Sequence, residues 1–161
     1  MSEEALTRAE LQLVVFRLAT DIYGLEIQAV REIIRMQEIT RVPNAPDVIE
    51  GVINLRGRIC PVMDLRKRFN LEMGEPTAES RIVVVEVNGE DVGMIVDAVT
   101  EVLRVPGDRI QPPSNVVAGS DMRVVEGIVN LDDRLIILVD RDALLNADVE
   151  AVLSRELLAA A

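Results

Sequence analysis

Residues 48–64, VIEGVINLRGRICPVMD, recur at residues 124–140 as VVEGIVNLDDRLIILVD, 76 positions further on. Glu, Gly, Asn, Leu, Arg and Asp keep their places in both copies. The echo extends upstream at an offset of 69, where Gly24, Ala29, Val30, Glu32 and Arg35 match Gly93, Ala98, Val99, Glu101 and Arg104. The offset grows across the second proline loop, PGDRIQPPSNVVAGSDM, and surface loops are where insertions are best tolerated. An internal repeat of this kind restricts the fold more than any other feature. The chain should be two copies of one unit of about five short strands. A unit of roughly 60 residues is marginal alone, so the two copies should pack together and share a core.

Hydrophobic residues make up 49% of the 161, enough to build that core. The only aromatics are Phe16, Tyr23 and Phe69, so Val, Ile and Leu must fill it, and these suit pleated, half-buried surfaces. Local pattern agrees. LQLVVFRL is a β-rich run ending at a turn around Thr20 and Asp21. VINL and RICPVM flank the two-residue tip Arg56-Gly57 and read as a hairpin. Asn88-Gly89, between RIVVVEV and EDVGMIV, is the strongest short-range hairpin signal in the chain. IQAVREII is ambiguous between strand and helical turn. DLRKRFNL offers Asp64 as the N-cap of a short helix, and Asp140 is its equivalent in the second copy. The Ala- and Leu-rich tail, residues 147–161, reads as an amphipathic helix. RICPVM and RLIILV are apolar at consecutive positions, which predicts strands buried on both faces. One face would look into a small antiparallel barrel and the other would meet the sister barrel. Pro61 within such a strand predicts an edge or a bulge. The expected architecture is one domain over 1–161, mainly β, with a first barrel over 11–75 and a second over 80–146.

Little here suggests catalysis. The net charge is −11, a poor balance for binding a phosphate backbone. There is no His, so Cys60 has no partner base and reads as a buried structural thiol. Asp64 and Asp140 are better read as caps than as an acid–base pair. Asp132-Asp133 lacks further ligands at a useful spacing for a metal. No glycine-rich phosphate loop opens a helix. The start of the chain is acidic and polar, and no apolar run reaches membrane-spanning length, so a soluble cytoplasmic protein is expected. Glu50, Gly51 and Asn54 recur in both copies and read as scaffold: a bulge at Gly51, a turn-stabilising hydrogen bond at Asn54. The informative positions are those where the copies disagree. Arg56-Gly57 becomes Asp132-Asp133, which gives the two tips opposite charge. Arg56 is a fork-shaped donor suited to a partner carboxylate or carbonyl, or else a solvated surface charge. In AVREIIRM, Val30, Ile33, Ile34 and Met36 are too close together all to face inward. Some of them should form an exposed docking patch or line the crevice between the barrels.

On EGVINLRGRICPVMDLRKRF, on VGMIVDAVTEVLRV before IQPP, and on GIVNLDDRLIILVD, the chain resembles the CheW family of bacterial chemosensory coupling proteins. The resemblance covers about residues 11–146. It implies two five-stranded Src-homology-3-like barrels and a non-enzymatic adaptor without cofactor or metal. It implies two partners, the cytoplasmic tip of methyl-accepting chemoreceptors and the regulatory domain of the histidine kinase CheA, which has the same fold. Carried over by motif, Val30, Glu32, Ile33, Arg56, Val99 and Val102 are expected at the receptor contact, in a groove between the barrels. Gly51, Arg56, Gly57 and Arg58 are expected near the kinase contact. Nucleic acid and direct membrane insertion are not implied. Residence at the inner face of the membrane through receptor arrays, and weak self-association in array rings, are. The same fold serves within the kinase and in CheV-type fusions, but the length leaves no room for a kinase core or receiver domain. A paralogue serving surface motility or second-messenger control is the alternative within the family. An enzyme on a small barrel and a homo-oligomeric structural protein are the alternatives outside it.

Overall fold

The computed structural model describes residues 10–69, 71–72, 74–87, 89–112 and 124–144. The amphipathic tail expected at 147–161 lies outside them. The first half contributes β1 (Glu10–Leu18), β2 (Asp21–Glu26), β3 (Val30–Arg35), β4 (Ile49–Leu55), β5 (Arg58–Asp64) and the short helix α1 (Leu65–Arg68). The second contributes β6 (Arg81–Val87), β7 (Glu90–Val96), β8 (Ala98–Pro106), β9 (Ile110–Gln111), β10 (Val125–Leu131), β11 (Arg134–Val139) and α2 (Arg141–Leu144). The ambiguous segment IQAVREII resolves into a 3-10 turn, Ile27–Ala29, followed by β3.

The strands form a six-stranded sheet, β8-β1-β2-β11-β10-β9, and a five-stranded sheet, β3-β6-β7-β5-β4. The sheets therefore do not divide the chain at 11–75 and 80–146. Hairpin β1–β2 of the first half sits at the centre of a sheet otherwise built by the second half. Hairpin β6–β7 of the second half sits among β3, β4 and β5. The exchange is reciprocal down to single residues. Gly24 pairs with Leu138 across the parallel β2–β11 contact, and its repeat mate Gly93 pairs with Val62 across β7–β5. Because the two copies present equivalent edges, a hairpin finds the same partners in the sister copy as in its own. The bridge Thr40↔Val52 in the five-stranded sheet is the counterpart of the β9–β10 pairing in the other.

Each sheet curls. Glu32 on the edge strand β3 reaches Arg56 in the turn between β4 and β5, with 2.6 Å between Arg56 Nη1 and Glu32 Oε2. Glu101 on the edge strand β8 reaches Arg134 at the start of β11 at 2.7 Å. Arg56 lies in the turn that leads into β5, and Arg134 lies on β11; each of these strands is three places along its sheet from the edge strand. Inside the curl of the five-stranded sheet lie Ile53, Cys60, Val62, Ile82 and Val84. Inside the other lie Leu13, Val15, Val105, Val129, Ile136 and Leu138. The residues between them in sequence face the opposite way and build one larger core shared by the sheets. It includes Met63, Val83, Val85, Met94 and Val139. The expectation of strands buried on both faces thus holds for Cys60–Asp64 and fails for Arg58 and Ile59, which are exposed. All three aromatics join the shared core as one stack: Tyr23 lies 5.9 Å from Phe16 and 5.1 Å from Phe69 between ring centroids.

Pro61 is not at an edge, because β5 lies between β7 and β4. Val52 directs both its N–H and its C=O away to Thr40, so the Val52↔Pro61 pair needs no hydrogen bond. On the other side the parallel ladder with β7 begins only at Val62. The missing N–H is therefore harmless in an interior strand.

Candidate functional site

The first hairpin turns through Arg56 at φ +54° and Gly57 at φ +80°. Two successive residues of positive φ make the turn that matches the right-handed twist of the flanking strands. Glycine takes that backbone freely, whereas an L side chain there costs about 1 kcal/mol. The Asn54 side chain accepts a hydrogen bond from the Gly57 N–H at 2.8 Å, the turn role expected of it. Arg56 is 75% exposed, yet both guanidinium Nη atoms engage Glu32, at 2.6 and 3.1 Å. Glu32 therefore orients Arg56, and both stand at one rim of the five-stranded sheet.

Gly51 is buried at a bulge where Ile49 and Gly51 flank a register shift. A Cβ there would lie 2.1 Å from the Thr40 carbonyl oxygen. Its contribution to any contact is therefore through backbone shape. Gly57 and Arg58 are exposed at the tip, beside a pocket of 640 Å³ lined by residues of 37–43 and of the hairpin. Val30 and Val99 are half-buried and both pack against the shared core, one from each sheet. Ile33 and Val102 are repeat mates, 39% and 50% exposed, on the edge strands β3 and β8.

Two exposed apolar residues escaped the sequence reading, Ile59 at 44% and Leu135 at 59%. They too are repeat mates, so each sheet presents one apolar residue on its edge strand and one near its hairpin tip. The repeat register was the signal that would have found them.

The remaining reactive groups are structural. Burial, helped by Asp91, pushes the Cys60 thiol up to about 11, so it is neutral and shielded. Asp64 caps α1, accepting from the Arg66 N–H at 2.9 Å. Burial raises its carboxyl above the usual range despite that hydrogen bond. Glu50 pairs with Lys67 at 2.8 Å. Among the described residues no group of His, Cys, Asp or Glu is arranged to hold a metal. Among them, too, no helix is long and apolar enough to cross a membrane.

The family model of the CheW-like domain matches residues 12–149. The probable chemotaxis protein CheW of Rhizobium etli is 34% identical over 141 residues, covering 88% of this chain and 91% of that protein. The chemotaxis protein CheW of Bacillus subtilis is 37% identical over 138 residues, covering 85% and 88%. The crystal structure of the scaffolding protein TtCheW from Thermoanaerobacter tengcongensis superposes with a TM-score of 0.80 at 42% identity, covering 86% of this chain and 90% of that one. The two curled sheets are the Src-homology-3-like subdomains of that fold. The chain belongs to the CheW family and is a chemotaxis adaptor, a scaffold rather than an enzyme.

Proposed function

We propose that this adaptor couples the cytoplasmic tip of chemoreceptors to the histidine kinase CheA through two surfaces, at the inner face of the membrane. The receptor surface is a groove between the sheets, with Val30, Glu32 and Ile33 on one side and Val99 and Val102 on the other. It takes an apolar helical hairpin. The kinase surface is the β4–β5 tip of Arg56, Gly57 and Arg58, shaped by the bulge at Gly51. Arg56 belongs to both.

The observation that carries this reading is the backbone of Arg56. A residue at φ +54° in a two-residue hairpin turn is ordinarily Asn, Asp or Gly. An arginine in that backbone, aimed by Glu32, points to a use for its side chain outside the turn. The test is CheA autophosphorylation with a receptor cytoplasmic fragment, with and without this protein, comparing wild type with Arg56→Glu. Wild type should make the kinase rate depend on the receptor, and the charge reversal should weaken that dependence. Coupling by wild type with no loss in the variant would remove Arg56 from the site. Failure of the folded wild type to couple would overturn the partner assignment.

A further inference from the structure

The chain passes between its two sheets at two places. From β2 to β3 it crosses through the 3-10 turn Ile27–Ala29. From β7 to β8 it crosses through one residue, Asp97. That residue is tied on both sides. Its carboxylate accepts the Ala19 N–H at 2.7 Å, from the turn of the hairpin at the centre of the six-stranded sheet. It also accepts Arg66 Nε at 2.9 Å and the neighbouring Arg66 Nη2, from the helix that follows β5 of the five-stranded sheet. Its backbone N–H donates to the Arg17 carbonyl at 3.0 Å. Arg66 in turn donates to the Glu72 carbonyl at 2.7 Å and so holds the segment that joins the halves. Gly74 leaves room for it, since a Cβ there would lie 2.9 Å from Arg66 Nη1. Burial opposes a charge on Asp97, but Arg66 and the Ala19 N–H outweigh it and hold the carboxyl below its usual range. The repeat mate of Asp97 is Gln28, exposed in the other crossing. Among the described residues the tie is seen at the Asp97 crossing and not at Gln28.

Asp97 directly precedes Ala98, which is buried, and Val99, which packs on the shared core. It sets where β8 starts, and with it the line of Val99 and Val102. We propose that the Asp97–Arg66 pair is a latch fixing the spacing of the two sheets, and that Asp97 is thereby a positioning residue for the receptor groove, an inference that rests on the receptor reading above. The β4–β5 tip is held by its own Glu32–Arg56 pair and does not depend on the latch.

Two measurements on the full chain test this. The first is the distance between spin labels on Ile33→Cys and Val102→Cys in a Cys60→Val background, read without any partner. The latched protein should give one narrow distribution, and Asp97→Asn a broadened or shifted one. An unchanged distribution overturns the latch. The second is the pair of dissociation constants for a receptor cytoplasmic fragment and for the CheA regulatory domain. Asp97→Asn should weaken receptor binding fivefold or more and leave kinase binding within twofold. Val129→Ala, a core truncation away from the crossing, controls for lost stability and should leave the ratio of the two constants unchanged. Equal losses for both partners, or none, overturn the positioning role. Wild type that binds no receptor fragment overturns the receptor reading and the positioning role with it, while the label distances still decide the latch.

Discussion

At the first hairpin tip the chain turns through Arg56 and Gly57, both at positive φ; at the second it turns through Asp132 and Asp133, neither of which is. The strands on either side keep Glu, Gly, Asn, Leu, Arg and Asp in register, so the tips are where the two copies differ in charge. Each tip is tied to the rim of its own sheet, but by a different pair. Arg56 holds Glu32 in the first copy, while Arg134, one strand position beyond the tip, holds Glu101 in the second. Asp132 instead meets Arg109 at 3.0 Å. The duplicated unit thus keeps a glutamate–arginine tie at its rim and frees the tip residue to change sign. Two ends of one ancestral shape become unlike, so the two faces can make different contacts.

The largest effect separating the copies is expected at their shared glycine. At Gly51, with φ +154°, a Cβ would lie 2.1 Å from the Thr40 carbonyl oxygen, in a segment held by two hydrogen bonds to Val52. At Gly127 it would lie 2.9 Å from the Gln111 carbonyl oxygen, on the two-residue edge strand β9, which can shift. Gly51→Ala should cost on the order of 3 kcal/mol or more, and Gly127→Ala about 1–2 kcal/mol. Urea midpoints of the two variants check this, and equal losses would mean that the first copy is as yielding as the second.

The two crossings should differ next. Asp97→Asn should cost about 1–3 kcal/mol at neutral pH, the scale of hydrogen bonds to a charged group. Gln28→Ala, at an exposed site, should stay within about 0.5 kcal/mol. The sign with pH follows from the lowered carboxyl of Asp97. Its contribution is fully present above the ordinary Asp value of about 3.9 and is lost as pH falls through the lower folded value. The gap between wild type and Asp97→Asn should therefore close on acidification, as read from unfolding curves between neutral pH and pH 2. A gap that stays constant would place the loss in packing.

At the tips themselves the expected effect is smaller and opposite in sign to that on function. Arg56→Asn relieves a backbone conformation that asparagine tolerates, and gives up only an exposed ion pair. Stability should rise by about 0.5–1 kcal/mol. Receptor-dependent control of CheA should fall in the same variant. A gain in midpoint without loss of coupling would make the strained arginine an accident of the first copy.

Much of this architecture could be read from the repeat. The two copies follow from the repeat itself, while the Asp64 cap, the Asn54 turn and the bulge at Gly51 follow from local pattern, because each depends on neighbours a few residues away; burial on both faces holds only over Cys60–Asp64 and not for Arg58, Ile59 or Leu135. The exchange of hairpins did not follow. When two copies carry equivalent edges, β1–β2 pairs equally well with either, and only the packing of the whole chain decides. Gly24 and Gly93 carried a faint signal, since glycine inside a strand marks a close approach. A Cβ on Gly24 would lie 3.2 Å from Ile136 Cγ2 on β11, and one on Gly93 3.4 Å from Val62 Cγ2 on β5, each across the exchanged contact. At the candidate site, Glu32 and Arg56 were each expected at a partner contact but not as a pair, because sheet curl rather than spacing joins them. Arg66 and Asp97 are 31 positions apart and nothing in either motif links them.

The smallest expected effect is also the cleanest comparison, because one glutamate is repeated in two settings. Glu50 has Lys67 at 2.8 Å, and that contact raises the lysine's pKa. Its mate Glu126 has Ala143 where the lysine would be, and has Glu26 and Asp140 as neighbours. Burial, then Glu26 and Asp140, push its carboxyl above the usual range. The fold thus disfavours the charged form of Glu126, a cost present at neutral pH that disappears below the ordinary Glu value of about 4.3. Glu50→Gln should destabilise by about 0.5–1 kcal/mol, while Glu126→Gln should stabilise by about 0.5 kcal/mol or less, since its residue still reaches solvent, which screens the repulsion. The stabilisation should vanish at pH 4 and shrink in high salt at pH 7 as screening weakens the repulsion. Unfolding curves of both variants at the two pH values decide it. Changes of the same sign at neutral pH would mean that the loss of the lysine left no electrostatic mark on the second copy.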